Sequence, residues 1–147
     1  MGRLVNISID WTDKLQFIAT NNTTDTQVII DAPSEEGIPT TGTTPKQLFL
    51  QGLASCTAGV VIYLLEKMRA ELPTKLKVDV SGQLTDDHPM YFENIDITYE
   101  IEGNTGEEKI KKVIQMSEEK YCGLTYMLRE VAKFNIRLIY NGHAIAL

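Results

Sequence analysis

Two cysteines and two histidines are the residues of this 147-residue chain best suited to chemistry. His88 sits in DDHP and His143 in NGHA, both turn-like contexts far from either cysteine. No CxxC, HxxxH or HExxH spacing occurs, so no metal site is expected. TTGTTPK lacks the glycine order of a phosphate cradle, and the absence of GxSxG removes the usual hydrolase signal. The cysteines offer more. Cys56 lies in LFLQGLASCTAGVVIYLLEKM beside the small residues Ala54, Ser55, Ala58 and Gly59, which let backbone or a ligand approach the sulfur. Cys122 lies in SEEKYCGLTYML. A free cysteine is a common core residue. The residues alone therefore leave two readings open, inert buried thiols or a redox pair.

The elements that must position these thiols follow from periodicity. Val5, Ile7, Ile9 and Trp11 alternate as in a half-buried strand, and Leu15, Phe17 and Ala19 repeat the pattern. Asn21–Asp25 is turn chemistry before a third strand over 26–30. Residues 32–44 read as a loop. Thr44, Pro45 and Gln47 then form a capping-box signature. A helix from there to about Glu71 carries Cys56 and is apolar around most of its circumference, so burial on several sides is expected. Leu76–Leu84 and Ile95–Ile101 read as strands, with a possible bend at Gly82. A helix over Glu107–Met116 follows, then one capped by Ser117 and carrying Tyr121, Leu124, Met127, Leu128 and Val131, then a strand through Ile136, Leu138 and Tyr140. This βββ–α–ββ–αα–β order is α+β, and the length suits one domain over residues 1–147.

Composition narrows the function classes. Twenty acidic against fourteen basic residues leave a net charge of −6, which disfavours a nucleic-acid partner. The longest uninterrupted apolar run, Ala58–Leu65, is far short of the ~20 residues of a membrane span, and MGRLVNISIDW does not read as a secretion signal. A cytoplasmic location is expected, where thiols stay reduced and a permanent disulfide staple is unusual.

TTPKQLFLQGLASCTAGVV resembles the OsmC/Ohr family, whose first cysteine lies in a segment of the form (N/S)PEELLLAALASCxA. KVIQMSEEKYCGLTYML resembles that family's second-cysteine segment, and the element order fits over almost the whole chain. The likeness is to the generic OsmC-like branch more than to the dedicated organic hydroperoxide resistance enzymes. It implies antiparallel sheets around a central cysteine-bearing helix, an intertwined homodimer, and reduction of organic hydroperoxides without a cofactor. Cys56 would attack the peroxide and become a sulfenic acid, and Cys122 would condense with it to a disulfide. A dithiol, lipoyl groups in the better-studied members, would reopen that bond. Phe49, Leu53, Tyr121 and Met127 would line a buried slot for substrate. The alternative on the same fold is a non-catalytic redox sensor or a binder of small apolar molecules.

One departure bears on the chemistry. The family's active peroxidases use an N-terminal arginine and a glutamate just after the proline of the PEEL motif. Here Lys46 and Gln47 follow Pro45, and no arginine occurs between Arg3 and Arg69. An ordinary thiol, with pKa ~8.5, is mostly protonated at neutral pH, so Cys56 needs a cation. Lys46 is the leading candidate, with Lys14 and Lys120 behind it. Ten residues along a helix put Lys46 about 15 Å from Cys56 along the axis, so contact requires a helix break near Gly52 or approach from a partner chain. A lysine lacks arginine's two-pronged fork, and weak peroxidase activity is the expectation.

Overall fold

The computed structural model describes residues 2–33 and 41–147, which divide into two compact units, Met1–Phe49 and Leu50–Leu147. In the first, β1 (Ile7–Asp13), β2 (Gln16–Asn21) and β3 (Gln27–Asp31) form an antiparallel sheet in the order β1-β2-β3. Lys14 makes the first turn in the left-handed region at φ 47°, and the Asn21 side chain accepts the Thr23 N–H at 2.9 Å in the second. Much of the 32–44 loop expectation, residues 34–40, lies outside the described residues.

Helix α1 (Pro45–Lys67) begins as its sequence implies. Thr44 N–H donates to Gln47 Oε1 at 3.0 Å, and Gln47 N–H donates back to Thr44 Oγ1 at 3.2 Å. Its end comes four residues before the expected Glu71. Ala70 N–H reaches the Leu65 carbonyl at 3.0 Å and Arg69 N–H the Glu66 carbonyl at 2.9 Å, with Arg69 left-handed at φ 52°. That is a Schellman stop, made here without the usual glycine. The helix runs unbroken through Gly52.

The expected burial on several sides is not met within one chain. Leu53, Thr57, Val61, Leu64 and Leu65 are buried along one stripe, whereas Ser55, Gly59 and Tyr63 are exposed. The helix also corrects the reading that nothing here could span a membrane. Its most apolar 18-residue window has a mean hydropathy of 1.9, enough by length and composition for a span. Gly52, Ser55 and Thr57 break the apolar run without adding charge, which is why counting uninterrupted residues missed it. Its buried stripe nevertheless serves the chain's own core.

In the second unit a four-stranded sheet runs β4-β5-β6-β7, from β4 (Lys75–Leu84), β5 (Phe92–Glu102), β6 (Lys133–Tyr140) and β7 (His143–Ile145). The sheet is not wholly antiparallel, as had been expected. β5 and β6 pair in parallel from Asn94↔Lys133 to Ile101↔Tyr140. The helical segment between them returns the chain to the starting end of β5, as a parallel crossover requires. β7 was not anticipated, since three residues are too few to show a period.

Ile95, Ile97, Tyr99 and Ile101 alternate inward along β5 and meet Leu53, Val61 and Leu65 of α1 in one core. Ile110, Val113 and Ile114 of α2 (Glu107–Met116) join them. Each such side chain contributes about 1.5–3 kcal/mol on burial. The Gly103–Gly106 loop is pinned by Tyr140, whose hydroxyl donates to the Gly103 carbonyl at 2.9 Å and accepts the Gly106 N–H at 3.0 Å. After α2 the expected helix from Ser117 does not form. Ser117–Tyr121 is a π-helical turn, Cys122 leaves it at φ −80°, ψ 108°, and α3 spans only Gly123–Leu128.

Candidate functional site

Both sulfurs lie in the second unit. Cys56 sits in α1, one residue before buried Thr57, and is half-buried itself. Cys122 stands between the π-turn and α3 and is buried, its N–H held by the Ser117 carbonyl at 2.8 Å. Helix and turn bring the thiols together, with Cys122 Sγ 3.3 Å from Cys56 Sγ and its S–H donating to it. Both thiols are free. A disulfide bond is ~2.05 Å long, so closing this pair needs roughly 1.3 Å of approach.

Burial pushes the Cys122 thiol up, and Cys56 beside it acts in the same direction. The backbone and hydroxyl of Thr125 face the sulfur and pull it partway back. That hydroxyl is buried and otherwise without a hydrogen-bond partner among the described residues. Cys122 is therefore a protected thiol, slow to ionise, next to one that solvent reaches.

Around the pair runs a polar network that sequence reasoning missed. Thr57 Oγ1 donates to Glu118 Oε1 at 2.6 Å, and the Tyr99 hydroxyl donates to the same oxygen at 2.5 Å. Thr57 and Tyr99 hydroxyls also touch each other. Ser117 Oγ lies 3.0 Å from Thr57 Oγ1 and donates to the Thr57 carbonyl at 3.3 Å. Thr57, Tyr99 and Ser117 are buried, while Glu118 is half-buried with its Oε2 lacking a partner among the described residues. Burial, then the Glu118 carboxylate, push the Tyr99 phenol far above its ordinary range. One signal was legible. Tyr99 is the lone polar residue on the otherwise all-isoleucine inner face of β5.

Lys46 is exposed at the second position of the unbroken helix. The proposed helix break that would bring it to Cys56 in its own chain is not formed. Lys120 is exposed and lies 5.6 Å over the Tyr121 ring, and Lys14 sits in the β1–β2 turn. Among the described residues no lysine or arginine bonds to either sulfur. Arg129 stacks on Tyr126 at 4.5 Å and donates to the Glu119 carbonyl at 3.0 Å, bracing the π-turn. Of the expected slot residues in the second unit, Leu53 is fully buried in the core, whereas Tyr121 and Met127 are 41% and 62% exposed. Phe49, 43% exposed, belongs to the first unit. Among the described residues no cluster of His, Cys, Asp or Glu could hold a metal.

Two free thiols at contact distance between a core helix and a turn, on an α+β frame of two sheets, define a two-cysteine thiol protein. A family model described as OsmC-like protein matches residues 37–137, and the chain belongs to that family. A hypothetical protein from Aquifex aeolicus superposes with a TM-score of 0.83 at 21% identity, over 95% of this chain and 98% of that one. An OsmC-like protein from Mycoplasma pneumoniae gives 0.81 at 19% identity, over 95% and 99%. An organic hydroperoxide resistance protein from Legionella pneumophila gives 0.72 at 13%, over 93% and 98%. At these identities the likeness establishes the fold. No curated protein matches the sequence.

Proposed function

We propose that this chain is a weak, thiol-dependent reductase of organic hydroperoxides, acting in oxidative stress defence through Cys56 and Cys122. The observation that carries the reading is the 3.3 Å sulfur contact between a half-exposed and a buried thiol. The Cys56 thiolate attacks the terminal peroxide oxygen, the O–O bond breaks, and the alkoxide takes a proton to leave as alcohol. The Cys122 thiol then displaces hydroxide from the Cys56 sulfenic acid, giving a disulfide and water. A dithiol exchanges twice with that disulfide, leaving oxidised and restoring both thiols. Such a cycle suits the cytoplasm. Weak turnover follows from the lack of a bonded cation at either sulfur among the described residues and from the protected state of Cys122.

The cycle is read as that of one OsmC-like domain over residues 1–147, working as a homodimer. Two features of the single chain support dimerisation. Ile7, Ile9 and Trp11 share one face of β1 and are 65%, 54% and 68% exposed. Gly52 and Gly59 on α1 have open space where a Cβ would stand, so another element can come close. Approach from the partner is also the remaining route by which Lys46 reaches Cys56. Tyr121 and Met127 would be covered in the same way and then contact substrate, whereas Leu53 already lies wholly inside the core.

The test is consumption of cumene hydroperoxide with dithiothreitol or reduced lipoamide. Wild type should turn over slowly and Cys56→Ser not at all above background. Equal consumption by both proteins would overturn the reading. A second reading, a redox sensor on the same fold, draws on the burial of Cys122. It predicts a single stoichiometric oxidation without turnover.

A further inference from the structure

We propose that Glu118 is a positioning residue for the cysteine pair, holding the turn that carries Cys122 against the helix that carries Cys56. This rests on the reading of the two cysteines as a redox pair. The polar bonds in question join residues 60 and 61 positions apart in sequence, and they fall beside the two sulfurs. Thr57 follows Cys56 directly on α1. Ser117 and Glu118 open the π-turn, and the Ser117 carbonyl holds the Cys122 N–H.

Thr57 and Tyr99 each have one hydroxyl hydrogen, and each hydroxyl lies within hydrogen-bond reach of Glu118 Oε1 and of the other, so two hydrogens are shared among three mutually close oxygens. The Ser117 hydrogen is left for Thr57, at its carbonyl or its hydroxyl oxygen. Helix, strand β5 and turn are thereby tied at one carboxylate oxygen. In surroundings where Thr57, Tyr99 and Ser117 are wholly or almost wholly shut off from water, such bonds are strong and costly to interrupt. Arg129 grips the same turn at Glu119 from its outer side.

Core stability does not call for this arrangement. Apolar side chains of similar volume would pack here without burying polar groups, and Glu118 Oε2 remains unpartnered. What the carboxylate adds is direction. It allows one placement of the turn on the helix, and so one separation of the two sulfurs. A displacement of ~1 Å at a reacting centre costs up to about 100-fold in rate. Glu118 thus sets how readily Cys122 reaches Cys56, with no hydrogen bond to either sulfur among the described residues.

The experiment is equilibration of the protein with reduced and oxidised glutathione, reading the Cys56–Cys122 disulfide fraction by mass spectrometry. Two thiols and one oxidised glutathione exchange for one protein disulfide and two reduced glutathiones. Thr57→Val removes the hydroxyl at nearly constant volume, whereas Thr57→Ser keeps it. That equilibrium constant measures the effective concentration of one thiol at the other, so Thr57→Val and Glu118→Gln should lower it by roughly tenfold or more. Thr57→Ser should stay within about twofold of wild type. Equal constants in all four proteins, or equal losses in Thr57→Val and Thr57→Ser, would overturn the proposal while leaving the redox reading intact. A wild-type protein that forms no disulfide would overturn that reading, and the positioning role with it. Should Glu118→Gln fail to fold, the two Thr57 variants still decide.

Discussion

At neutral pH the two thiols should answer an alkylating agent differently. Cys56 is half-exposed, while Cys122 is buried and its thiol is pushed up by that burial. Iodoacetamide at pH 7 should therefore label Cys56 first, with Cys122 lagging in the Cys56→Ser variant and speeding up as pH rises. Peptide mass spectrometry over a time course checks this, and equal rates at the two sites would contradict the burial argument. The same assay addresses Lys46. If a partner's Lys46 approaches the sulfur, Lys46→Met should slow Cys56 alkylation at pH 7. Unchanged rates would return Lys46 to solvent.

At the scale of elements, two backbone features invite substitution. A Cβ on Gly82 of β4 would stand 2.4 Å from Cδ1 of the Phe92 ring, so this glycine is required by a close approach. Gly82→Val should destabilise the protein by about 1–3 kcal/mol, read from urea unfolding. Arg69 occupies the left-handed position that ends α1. Arg69→Gly relieves that strain but also loosens the unfolded chain, so a gain of up to ~1 kcal/mol is expected in the same measurement. Destabilisation by Arg69→Gly would mean that the side chain contributes more than the backbone loses.

At the scale of the whole molecule, the proposed dimer would cover the exposed apolar face of β1. Light scattering at micromolar concentration should give a dimer mass, and Ile9→Lys should shift it toward monomer. Stability should also fall in alkali. Tyr99 is held protonated in the fold far above its ordinary range, and Cys122 is shifted in the same direction. Below the unfolded values, ~8.5 for cysteine and ~10 for tyrosine, native and unfolded chains bind these protons equally. Above them the unfolded chain releases protons that the native one keeps, so stability drops as pH rises. For Tyr99, whose shift is large, the slope approaches about 1.4 kcal/mol per pH unit. Tyr99→Phe should flatten the curve above pH ~10, as followed by chemical unfolding at each pH.

Local chemistry was legible from the chain alone. The Thr44–Gln47 cap, the alternation of β5 and the extent of α2 depend on neighbours in sequence, and all three read correctly. The family, too, could be recognised from its two cysteine segments. Where α1 stops is also a local matter, but it turns on a left-handed Arg69 that no propensity of arginine announces. Tertiary structure decided the rest. The parallel pairing of β5 with β6 depends on where the intervening helices return the chain. The separation of the two sulfurs, and the ring of Thr57, Tyr99, Ser117 and Glu118 beside them, depend on contacts between residues dozens of positions apart. Periodicity reports which side of its own element a residue takes. It cannot report which residues of another element will face it, because that is set by packing.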